Sequence, residues 1–127
     1  MITLDASVLV AHLSPLDAHH VAATRLLLDA TDEALLVHAL TLAEVLVGGV
    51  KIGRGAELLA DLTAAGIVSV QGDSGQPLRL AELRLTTGLK LPDCCVLDTA
   101  TSNDATLATF DRALATAGRR LGVPVMP

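Results

Sequence analysis

Four acidic residues stand where their chemistry could be pooled: Asp5, Glu44, Asp93 and Asp111. Asp5 directly follows the short apolar run Ile2 to Leu4. Asp111 follows the β-type run Thr106 to Thr109 by two residues. Asp93 comes one residue after Pro92, and proline suits the first turn of a helix. Glu44 closes Thr41-Leu42-Ala43-Glu44 in the first turn of a helix expected to open near Thr41. Carboxylates at strand-to-helix junctions can converge on one crevice.

Convergence has a physical consequence. Two like charges about 4 Å apart repel by about 4 kcal/mol at an effective dielectric of about 20. A cluster of four must raise its pKa values or hold a divalent cation. Oxygen ligands are hard, which points to Mg2+ or Mn2+ and away from zinc. Such a centre fits phosphodiester hydrolysis by a metal-activated water. Each acid also has a purely structural reading. Asp5 and Asp111 can cap the helices that follow them, Asp93 can complement a helix dipole, and Thr41 with Glu44 matches a capping box.

The elements that must position these acids alternate. Ile2 to Leu4, Leu35 to His38, Ile67 to Val70, Thr106 to Thr109 and Val123 to Met126 read as strands. Between them, helices are expected over Ser7 to Leu13, Asp17 to Leu28, Thr41 to about Val47, Arg54 to Ala65, Pro77 to Thr86, from Pro92 onward, and over Arg112 to Leu121. Gly48-Gly49 weakens the end of the third of these. Glu44, Gly48 and Lys51 share a side if that helix continues. Alternating strands and helices imply an α/β fold, a single domain over residues 1–127 with a mostly parallel central sheet and helices on both faces. Sites in such folds lie beyond the carboxyl ends of the strands.

Composition narrows the function classes. The chain has 127 residues, 51% hydrophobic, with nine Lys and Arg against fourteen Asp and Glu and a formal net charge of −5. A sequence-blind nucleic-acid coat would be broadly basic. No Trp or Tyr is present and Phe110 is the one Phe, which excludes a base-stacking platform of aromatics. No apolar run reaches the length of a membrane span, no leader segment is visible, and the adjacent Cys94 and Cys95 are expected to be reduced and buried in a cytoplasmic protein.

In order along the chain, Leu4-Asp5-Ala6-Ser7, Thr41-Leu42-Ala43-Glu44-Val45, Leu91-Pro92-Asp93 with Thr99-Ala100 behind it, and Leu107-Ala108-Thr109-Phe110-Asp111-Arg112 resemble the PIN domain, and in particular the VapC ribonuclease toxins of type II toxin–antitoxin pairs. The resemblance covers nearly the whole chain. It implies Asp5, Glu44, Asp93 and Asp111 around one or two Mg2+ or Mn2+ ions, with endonucleolytic hydrolysis of RNA. It also implies Ser7 and Thr109 as supporting hydroxyls, a cognate antitoxin partner and a homodimer. Asp98 departs from the family pattern, where a small or apolar residue is usual. It lies about 140° around the helix from Asp93, so a hydrogen-bonded polar face is expected there. RNA must be gripped by few groups: Lys51 and Arg112 are the leading candidates, with Arg54, Arg84 and Lys90 behind them.

Two other classes remain in view. A phosphoacceptor signalling domain needs an acidic pair after the first strand and an acceptor aspartate after a middle strand. Here Asp5 stands alone, and Val70 leads into Gln71-Gly72-Asp73. In a non-catalytic interaction module, all four acids would be caps. His19 and His20 are expected to be solvated, and His12 and His38 to bond nearby backbone.

Overall fold

A computed structural model describes residues 1–127. The chain runs β1 (Ile2–Leu4), α1 (Ala6–Leu13), α2 (His20–Asp29), β2 (Leu35–His38), α3 (Ala39–Lys51), α4 (Gly55–Ala64), β3 (Ile67–Val70), α5 (Gln76–Thr87), α6 (Leu91–Ser102), β4 (Thr106–Ala108), α7 (Arg112–Arg120) and β5 (Val125–Met126). The five strands form one sheet in the order β3-β2-β1-β4-β5. All four pairings are parallel, with Thr3 opposite Leu36 on one side and Leu107 on the other.

Fully buried strands explain the short, continuous apolar runs. All three residues of β1 and all four of β2 are buried. One core cluster joins Leu4 and Val37 of the sheet to Val8 and Leu9 of α1, Leu26 of α2, Val45 of α3 and Leu62 of α4. A second joins Leu107 to Leu97 of α6 and Leu114 of α7. The strand order sends the chain outward from β1 through β2 to β3, then returns it to the other side of β1 as β4. The reversal opens a crevice between the carboxyl ends of β1 and β4, the position where parallel α/β sheets place their sites.

Several boundaries differ from the sequence reading. The second helix opens at His20, three residues later than expected, because the Asp17 carboxylate accepts the His19 N–H at 2.8 Å in a turn. The third opens earlier, at Ala39, and runs unbroken through Gly48-Gly49 to Lys51. Its cap is not Thr41. His38 caps it, Nδ1 accepting the Leu40 N–H at 3.0 Å. Thr41 is buried with its hydroxyl unpartnered, so the capping box does not form. Gly49 has a packing reason: a Cβ there would meet the Leu58 side chain at 3.1 Å where α3 crosses α4.

Candidate active site

Asp5 directly follows β1, and its backbone N–H reaches across to the Ala108 carbonyl of β4 at 3.0 Å. Its side chain is buried and does not cap α1. Instead Oδ2 accepts two hydroxyl protons, from Ser7 Oγ at 2.7 Å and Thr109 Oγ1 at 2.8 Å. Both hydroxyls accept in turn: Ser7 Oγ takes the Phe110 N–H at 3.0 Å, and Thr109 Oγ1 takes the Asp111 N–H at 2.9 Å. Since each hydroxyl proton is spent on Asp5, the 3.4 Å contact between Ser7 and Thr109 is an approach and not a bond. This lattice ties the ends of β1 and β4 together and orients the Asp5 carboxylate.

Asp111 does cap its helix, Oδ1 accepting the Leu114 N–H at 2.9 Å. The cap consumes one oxygen and orients the other. Asp93 lies in the first turn of α6. Burial pushes its carboxyl above the ordinary aspartate range, and the charges of Asp5, Asp111 and Glu44 push it further the same way, against a smaller pull from Lys90. Glu44 is exposed on the second turn of α3, beyond the reach of a capping role. Three of the four acids from the sequence analysis therefore act on the carboxyl group of the fourth, Asp93.

The cluster is more open than a fourfold convergence suggested. No three ligating side chains stand close enough to enclose an ion by themselves. The donors are nevertheless all oxygen, and Cys94 and Cys95 are free, buried thiols whose burial pushes their pKa values up. That set suits a small hard cation that keeps several of its waters and needs only a few carboxylates.

Among the proposed RNA grips, Arg54 is paired with Glu57 at 2.6 Å, and Arg84 donates to the carbonyls of Gly88 and Leu89. Both are engaged elsewhere. Lys51 is exposed at the end of α3, and Lys90 sits near enough to Asp93 to act on its charge. Arg112 is exposed beside Asp111 and lines a cleft with it.

Asp98 points into a different network. Its carboxylate, 2% exposed, accepts from Arg79 Nε at 2.7 Å and Gln76 Nε2 at 2.8 Å. Gln76 Oε1 meets His38 Nε2 at 3.1 Å. Because His38 Nδ1 accepts from Leu40, Nε2 carries the proton, and the chain of donors runs His38 to Gln76 to Asp98. Burial pushes the Asp98 carboxyl up, but the bonds from Arg79 and Gln76 and the neighbouring charges outweigh it and hold the group below its usual range. Gln76 and Arg79 escaped the sequence reading, since partners about twenty residues away leave no local pattern.

His20 and His12 depart from the expectation of solvation and of local backbone partners, whereas His38, which accepts the Leu40 N–H, meets it. His20 is half-buried, with Nδ1 2.9 Å from the Ala11 carbonyl. His12 pairs with the Thr24 hydroxyl at 2.9 Å and not with backbone. His19 is exposed, but its ring stacks on Phe110 with centroids 4.3 Å apart.

The PIN domain family model matches residues 2–120. No curated protein matches the chain. Among solved structures, a toxin–antitoxin complex from Klebsiella pneumoniae is similar, with 23% identity over 100% of this chain and 97% of that one and a TM-score of 0.79. VapC20 of Mycobacterium tuberculosis, a sarcin-ricin loop cleaving toxin, gives 15% identity, coverage of 93% and 95%, and a TM-score of 0.77. VapBC2 of Rickettsia felis, bound to a promoter DNA fragment, gives 16% identity, coverage of 99% and 98%, and a TM-score of 0.73.

Proposed function

Since the chain belongs to the PIN domain family, we propose that it is a Mg2+- or Mn2+-dependent endoribonuclease, the toxin of a toxin–antitoxin pair. The observation that carries this reading is the buried Asp5 carboxylate, which caps no helix and is held by the Ser7 and Thr109 hydroxyls, close enough to Asp93 to join Asp111 and Glu44 in pushing its carboxyl upward. Acids assembled for capping have no reason to share a field. The structural neighbours named above as a sarcin-ricin loop cleaving toxin and as toxin–antitoxin assemblies support the substrate class and the partner.

In this reading Asp5, Glu44, Asp93 and Asp111 are the catalytic acids and would hold the ion, directly or through its waters. When bound, the ion supplies Lewis acidity at the scissile phosphodiester and compensates the carboxylate charge. Ser7 and Thr109 fix Asp5 through Oδ2 and leave Oδ1 for the ion. Asp111 spends Oδ1 on its cap and offers Oδ2. Lys51 and Arg112 contact RNA phosphates. The antitoxin and a second toxin copy would cover exposed apolar side chains such as Leu16, Val21, Ile52 and Leu85, which are 97%, 72%, 71% and 87% exposed. No helix is long and apolar enough to cross a membrane.

The rival classes fit less well. A phosphoacceptor needs its aspartate after a central strand, whereas β3 is an edge strand and Asp73 is paired with Arg79 at 3.0 Å. A module of caps fails because only Asp111 caps with its side chain. The test is RNA cleavage with Mg2+ or Mn2+ by Asp5→Asn and Asp93→Asn. Loss of cleavage in both, with the fold intact, is expected; full activity in both rejects the assignment.

A further inference from the structure

The chain is acidic overall, yet one short helix is entirely cationic among its charges. α7 reads Arg-Ala-Leu-Ala-Thr-Ala-Gly-Arg-Arg and contains three of the nine Lys and Arg residues. Leu114, Ala117 and Gly118 are buried, while Arg112, Thr116, Arg119 and Arg120 are exposed. Thr116 lies four residues after Arg112, and Arg119 and Arg120 lie seven and eight after it, so all four share one face. None of the three arginines enters an ion pair, in contrast to Arg54 and Arg79.

Two clefts flank this face. One, of about 380 Å³, is lined by Thr109, Asp111, Arg112, Thr116 and Arg119 and so opens directly off the acidic site. The other, of about 440 Å³, lies on the opposite side of the same ridge, with Arg112 and Arg120 on its wall. Arg112 and Thr116 belong to both. From Arg112 to Arg119 the helix advances about 10.5 Å, enough to meet more than one phosphate of a single strand.

We propose that the exposed face of α7 is the track for the RNA strand flanking the cleavage site, with Arg112, Arg119 and Arg120 bound to its backbone phosphates. This rests on the nuclease reading and adds a path to it: the strand passes the acidic cleft at Asp111 and is held along the helix that Asp111 caps. Unpaired arginines suit the role because their fork of donors matches phosphate oxygens and no internal partner has to be broken first. Thr116, between them, adds a neutral donor. Because the contacts are to phosphate, the face sets affinity and register, not sequence preference.

The experiment measures binding of a short fluorescein-labelled single-stranded oligoribonucleotide in chelator, between about 50 and 200 mM salt. Each phosphate contact on a single strand contributes about 0.7 to the slope of log K against log salt. The variant R112Q/R119Q/R120Q is expected to lower that slope by about 2 and to weaken low-salt binding by about tenfold or more. R112K/R119K/R120K keeps the charges and should keep the slope. R25Q removes one charge from α2, where Arg25 shares a cleft with Asp29 and Glu33, and should leave the slope unchanged. Far-ultraviolet circular dichroism checks that each variant is folded, and the single variants R119Q and R120Q, each losing about 0.7 in slope, replace the triple one if it is not. Salt-insensitive binding by the wild type, or equal slopes in the glutamine and wild-type proteins, overturns the proposal. Because the assay contains no divalent ion, it is separate from cleavage. Arginine-dependent binding without cleavage in any divalent ion would remove the nuclease reading alone, and cleavage with an unaltered slope would remove the α7 track alone.

Discussion

Asp5 and Asp93 are identical side chains in different surroundings. Asp5 Oδ2 accepts two hydroxyl protons, which fix its orientation. Asp93 is half-buried and lies among other carboxylates, which raises its proton affinity. A carboxyl whose pKa is higher in the folded state than in the unfolded one stabilises the fold below the unfolded value, about 3.9, and loses that contribution as pH rises through the folded value. At neutral pH and without metal, ionised Asp93 is therefore a net cost. Asp93→Asn is expected to melt at a higher temperature than the wild type in chelator at pH 7. The gain should shrink as pH falls towards 4, because the carboxyl takes up its proton in the folded state before the unfolded one, which is about half protonated near 3.9. Thermal denaturation at the two pH values tests this, and a lower melting temperature for the variant at pH 7 would contradict it.

At the scale of elements, α3 carries Glu44 into the site, and its two glycines do different work. A Cβ at Gly48 meets nothing within 4 Å, whereas one at Gly49 meets Leu58 at 3.1 Å and lies 3.5 Å from the Gly55 Cα. Glycine in a helix interior costs roughly 0.5–1 kcal/mol relative to alanine. Gly48→Ala should therefore stabilise the protein by about that amount. Gly49→Ala should gain less or lose, because Leu58 must move. Urea denaturation of both variants measures the difference, and equal gains would show that the α3–α4 contact tolerates the added methyl group. The same helix shows what could be read from sequence. Propensity placed its end at the glycines, and packing against α4 carried it past them. A local capping pattern pointed to Thr41, but the cap is His38, held from behind by Gln76 at the start of α5. The strands and the four acids were legible because burial and junction position leave local marks. The His38–Gln76–Asp98–Arg79 network was not, because its members meet only after α5 has packed on α6. Asp98 alone was readable in part, since helical spacing turned it away from Asp93.

For the molecule as a whole, strand order and charge distribution converge on the same edge. The reversal between β1 and β4 brings Asp5 and Asp111 together from opposite ends of the chain, and it sets α7, whose charges are all cationic, immediately beyond them. Such an edge carries a concentration of negative charge that the rest of the fold must hold in place. A cation bound there would relieve that repulsion and, binding only the folded state, stabilise the whole chain. At a hundred times its dissociation constant such a ligand adds about 2.7 kcal/mol, which for a chain of this size corresponds to about 10 °C in melting temperature. Mg2+ or Mn2+ is therefore expected to raise the wild-type melting temperature, and chelator to reverse the rise. The shift should be largely lost in Asp5→Asn and Asp93→Asn. It should persist in Asp98→Asn, because Asp98 serves Arg79 and Gln76 and not the ion, even though that variant starts from a lower baseline. An equal shift in Asp93→Asn and the wild type would mean that the ion binds elsewhere, and a shift lost in Asp98→Asn alone would move the ion to the wrong side of α6. A shift lost only where the four acids are altered ties the stability of the fold to the charge it gathers at one edge.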